Sequence, residues 1–170
     1  MEKILTEMLH ILQKLLGHHR QLLDIVRIER EHLVQVNHLA IQTIIVRKQN
    51  EIEAIGQIET QRVKLVSDLG QLLGKSPTDL TLPKLIIEVQ ASNPKLAEQF
   101  RSTYNALTVL IQRITGQNRD NQKLLQRSIE NIYEMKKNIL GVASGNAGTY
   151  SQQGQRVTGA SPRHLISREA

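Results

Sequence analysis

From Ile4 to Leu73 apolar residues return at alternating steps of three and four: Ile4, Met8, Ile11 and Leu15, then Leu22, Val26, Leu33, Val36 and Ala40. After a looser stretch they resume at Ile52, Ile55, Val66, Leu69 and Leu73. Such steps keep one face of an α-helix apolar. The spacing predicts a helix over residues 3–73, stopped by Gly74 and Ser76-Pro77. Unbroken, it would reach ~105 Å at 1.5 Å per residue, more than a compact domain needs, so a kink is expected. Gly17, Gly56 and the β-branched cluster Thr43, Ile44, Ile45, Val46 are its weak points.

Residues 74–93 form a connector that holds Pro77, Pro83 and a short apolar run, Leu82 to Val89, predicted as a brief helix after Thr81 that covers one end of a bundle. Asn93-Pro94 places a capping side chain before a proline, which favours a helix start. The second long helix, 94–140, runs through Phe100, Leu107, Leu110, Ile114, Asn118, Asn121, Leu124, Leu125, Ile132, Met135 and Ile139. The fold class is therefore all-α: an elongated antiparallel hairpin or bundle of two long helices, the first kinked, with a short connecting helix. Residues 1–140 make one domain. Residues 141–170, with five Gly and four Ser, are expected to be a flexible tail.

Composition narrows what such a bundle can do. Cys and Trp are absent, which excludes disulfides and thiolate metal sites. Met1 to Leu16 is amphipathic and lacks a signal-peptide core, and no stretch approaches a membrane span, so a soluble, cytoplasmic chain without membrane insertion is expected. The net charge of +6 is spread thinly. Residues 1–74 carry nine Lys/Arg against nine Asp/Glu, residues 75–140 ten against six, and the remainder three against one. Nucleic-acid binding needs clustered cations and commonly aromatic stacking, so no nucleic-acid partner is expected.

Candidate chemistry is sparse. Glu7…His10 and Glu29…His32 have the Glu-x-x-His spacing of di-iron bundles, but both lie on one predicted helix, and pairs of this kind arise by chance on solvated faces. His18-His19 point to different sides of a helix and read as surface residues. No phosphate loop and no nucleophile motif occurs, so neither an enzyme nor a cofactor is expected. What remains is an interaction protein, whose leucines serve either the core or a partner helix.

Three segments, in order, resemble the FlgN family of flagellar type III export chaperones. "IEREHL" with Glu29 and Leu33 is followed by "RKQNEIEAIGQIETQR", in which Lys48 and Glu59 to Arg62 fall where the family places a Lys, an apolar ladder and an Arg. "QNRDNQKLL" is similar to the family's Asn-x-x-Asn-x-x-Leu-Leu, with Asn118, Asn121, Leu124 and Leu125, and leads into the amphipathic "QRSIENIYEMKKNIL". "TYSQQGQ" carries Tyr150 and Gly154 where the family has a Tyr and a Gly beyond the last helix.

The resemblance implies a chaperone that binds the C-terminal segments of the hook–filament junction proteins, hook-associated proteins 1 and 3. It would prevent their premature assembly and deliver them to the export gate. Asn118, Asn121, Leu124, Leu125, Ile129, Ile132, Met135 and Ile139 are the candidate cargo contacts. Tyr150 and Gly154 are candidates for docking on the cytoplasmic domain of the export-gate membrane protein. Heptad-like spacing equally permits the alternative, a coiled-coil adaptor or structural helical protein, and leaves a weak homodimer open.

Overall fold

The computed structural model describes residues 1–144. All regular structure among them is helical: α1 (Glu2–Val34), α2 (His38–Leu73), a 3-10 turn (Pro77–Asp79), α3 (Leu82–Ser92) and α4 (Pro94–Ser144). The chain divides into two compact units, Met1–Leu125 and the part from Gln126 onward.

The expectation of one helix over 3–73 is corrected. The chain reverses at Gln35-Val36-Asn37, so the first long segment is two helices packed on each other. None of the anticipated weak points is the break. The Asn37 amide donates to His32 O (3.1 Å) and the Val36 amide to Leu33 O (3.3 Å), the pair of bonds that closes a helix around a left-handed residue. That residue is Val36, with φ 54°, a conformation in which a β-branched side chain is crowded. Asn37 then starts the next helix, its Oδ1 accepting from the Ala40 amide at 3.2 Å. The same closure ends α2 with Gly74 (φ 63°) in the left-handed place and the Lys75 amide donating to Gly70 O at 3.0 Å. Here the returning chain comes so close that a Cβ on Gly70 would lie 2.8 Å from Lys75 O.

Cross-links give the directions within the first unit. His18 meets Glu51 and Glu29 meets Lys48, so α1 and α2 are antiparallel. The larger core joins Leu5, Met8 and Leu12 of α1 with Leu69 of α2, Leu85, Ile86 and Val89 of α3, and Ala97, Phe100 and Leu107 of α4. The smaller joins Leu22, Leu23 and Val26 of α1 with Ile114 of α4. Rising numbers on α1 thus meet rising numbers on α4, and these two helices are parallel. α1 accordingly buries a broad arc (Leu5, Met8, Leu9, Ile11, Leu12, Leu15), wider than a seam with one neighbour demands.

α4 begins at a cap: Asn93 Oδ1 accepts from the Leu96 amide at 3.1 Å. Its buried positions include Phe100, Leu107, Ile114 and Asn121, spaced by seven, the seam repeat of packed helices. Phe100, the chain's one phenylalanine, is fully buried.

Candidate functional site

The seam of α4 ends on a polar residue, and that residue ties the long helices of the first unit together. Asn121 is buried, and its Nδ2 donates to Val26 O and to Glu29 Oε2 of α1, both at 2.9 Å. Gln117 Nε2 donates to Asn121 Oδ1 at 3.2 Å. Lys48 of α2 reaches the same carboxylate, with Nζ at 3.1 and 2.9 Å from the two Glu29 oxygens, and also donates to Asn118 Oδ1 at 2.8 Å. Lys48 and Glu29 keep only 21% and 13% of their side-chain surface exposed, so the charges must pair. Each helix is satisfied only if the other two are in register, which makes the cluster a clasp.

A cleft of about 390 Å³ opens beside this clasp, with walls from Leu33, Ile41, Ile45 and Leu125. Leu124 is half-buried. From Leu125 to Ile139 every residue is exposed. The apolar side chains there are Leu125, Ile129, Ile132, Tyr133, Met135 and Ile139, between 49% and 70% exposed. An exposed apolar series of this length costs solubility unless something covers it.

The expected cargo residues therefore fall into three environments. Asn118 and Asn121 are engaged in the clasp, Leu124 is half-buried, and Leu125, Ile129, Ile132, Met135 and Ile139 are exposed. Tyr150 and Gly154 lie outside the described residues. Sequence reasoning marked Glu29 as a family cue and as half of a Glu-x-x-His pair, marked Lys48 as a family cue, and missed that they join the asparagines. Opposite charges at positions that share the family pattern were the available signal.

The remaining candidates resolve simply. Glu29 faces Lys48 and Asn121, and His32 Nδ1 is buried with no hydrogen-bond partner among the described residues. Among the described residues no group of three or more His, Asp or Glu is arranged to hold a metal ion. His18 and His19 are partly buried: His18 Nδ1 is 2.7 Å from Glu51 Oε1, and His19 Nδ1 is 2.7 Å from Leu15 O. Arg62 forks onto Glu59, with Nε 2.9 Å from both oxygens and Nη2 2.6 Å from one. Its hydrogen bond to Glu59 holds the guanidinium above its usual range, against the opposing effect of burial, and the Glu59 charge adds to the rise.

A family model described as FlgN protein matches residues 1–158. The chain belongs to the FlgN family. FlgN proteins are chaperones of flagellum assembly and export. Neither a curated protein nor a solved structure matches this FlgN chain. No helix among its described residues is long and apolar enough to cross a membrane.

Proposed function

We propose that this FlgN-family chain is a cytoplasmic, non-enzymatic export chaperone whose cargo is the C-terminal segments of hook-associated proteins 1 and 3. The cargo folds as an amphipathic helix on Leu125, Ile129, Ile132, Met135 and Ile139 of α4. The observation that carries this reading is the uninterrupted exposure of Leu125 to Ile139 on a helix whose earlier turns bury the same kind of residue. Full burial of a large aliphatic side chain is worth about 1.5–3 kcal/mol, so these half-exposed ones offer roughly 1 kcal/mol or more each. Together they offset the ~2–5 kcal/mol that coupled folding of a disordered segment costs. Covering the same surface on the cargo is what keeps junction proteins from assembling early.

Delivery falls to Tyr150 and Gly154, which dock on the cytoplasmic domain of the export-gate membrane protein. A docking motif separated from the cargo face raises the local concentration of the complex at the gate without a new cargo contact. Tyr150→Ala should weaken gate binding and leave cargo affinity unchanged in paired titrations; equal loss of both would contradict the separation. The adaptor alternative draws on the same exposed run, because a second copy covers it as readily as cargo does. Sedimentation over a range of concentrations distinguishes them: a stable homodimer lost in Ile132→Asp favours the adaptor.

A further inference from the structure

The apolar arc exposed between Ile129 and Ile139 holds one cation, Lys136. α4 is continuous through this stretch, and an α-helix turns about 100° per residue. Ile129, Ile132 and Ile139 therefore point within about 50° of a common direction, and Tyr133 and Met135 edge the arc about 80° to either side. Lys136 lies within about 30° of the middle, whereas Arg127, Glu130, Glu134 and Lys137 lie more than about 120° away. Residues 132, 133, 139 and 140, one turn to either side of Lys136, include no acid. The exposed Lys136 ammonium makes no ion pair or hydrogen bond to another described residue.

We propose that Lys136 is a specificity residue of the α4 face, selecting a cargo helix that sets a carboxylate among its apolar anchors and rejecting one with a cation there. This inference rests on the assignment of that face to cargo. Charge complementarity selects the occupant. While the face is open, water solvates the ammonium. A helix laid along the arc removes that water, and the charge then needs an acceptor from the partner, because α4 supplies none beside it. A lysine at the edge of an apolar arc can turn its head out to the rim, but Lys136 stands near the centre. The pairing also fixes alignment. Apolar anchors at steps of three and four fit a partner in several registers, one turn apart, and a single charged pair among them distinguishes one register from the rest.

The test titrates the full chain and its variants calorimetrically with the C-terminal segments of hook-associated proteins 1 and 3, at low and high salt. Lys136→Glu should weaken binding about tenfold or more and Lys136→Met about threefold to fivefold, while Lys136→Arg retains it. Added salt should weaken binding by the unaltered chain more than by Lys136→Met. Replacing each Asp and Glu of the bound segment by Lys in turn should find one position whose exchange restores binding to Lys136→Glu. Unfolding midpoints should stay the same throughout, since Lys136 is exposed. Equal losses in Lys136→Arg and Lys136→Glu would mean that the stem packs and the charge selects nothing, which overturns the proposal. Binding that is lost in Ile132→Asp but indifferent to Lys136→Glu would overturn it too, and leave the cargo face standing. No binding of either segment by the unaltered chain would overturn the cargo assignment and this inference with it.

Discussion

Val36 holds a left-handed backbone that a β-branched side chain resists, and the closing bonds around it show why the conformation is kept. The left-handed region costs an L-residue about 1–2 kcal/mol, of which glycine's extra chain entropy returns roughly 0.5–1. Val36→Gly should therefore raise stability by about 0.5–1 kcal/mol, read as a higher urea midpoint at unchanged m-value. Gly70 is the opposite case. Gly70→Ala would set a methyl 2.8 Å from Lys75 O, a backbone atom that cannot swing aside. Its unfolding midpoint should fall, with a cost of about 1–3 kcal/mol typical of overpacking.

Between elements, the Glu29–Lys48–Asn118–Asn121 clasp decides how α1, α2 and α4 sit against one another. Removing one partner of a buried ion pair costs about 3–5 kcal/mol, and the residual exposure of Lys48 and Glu29 lowers this to roughly 2–3 for Lys48→Met. The double variant Glu29→Met with Lys48→Met should recover much of that loss, because no charge is then stranded. Denaturant unfolding of the two single variants and the double measures the coupling; simple additivity would mean that the pair contributes nothing as a pair.

Helix existence was legible at this scale because a period of three and four is local. The reversal was not, because a left-handed turn without glycine leaves no mark in composition, and the apolar spacing through Leu33, Val36 and Ala40 runs straight across it. Asn118 and Asn121 were recognisable as a motif, but their bonds reach Val26, Glu29 and Lys48 on other helices, a separation no local pattern encodes. The open face was half legible. Ile129, Ile132 and Met135 have the spacing of core residues, and only the structure, in which the buried seam stops at Asn121, separates them from Phe100, Leu107 and Ile114.

For the whole molecule, this FlgN-family chain buries Phe100, Leu107 and Ile114 and leaves Leu125 to Ile139 exposed, so the proposed cargo face is separate from the residues that hold the fold. Substitutions in that exposed run should leave unfolding midpoints nearly unchanged, since surface changes away from packed features usually fall within about 0.5 kcal/mol. Core changes such as Phe100→Ala should instead cost about 3–5 kcal/mol. The most direct test is calorimetric titration of the full chain, and of its Ile132→Asp variant, with the C-terminal segments of hook-associated proteins 1 and 3 at several temperatures. The expected result is a stoichiometric complex with negative ΔCp for the unaltered chain, lost in Ile132→Asp while its unfolding midpoint is preserved. Equal binding by the variant, or no binding of either segment by the unaltered chain, would contradict the assignment of the α4 face to cargo.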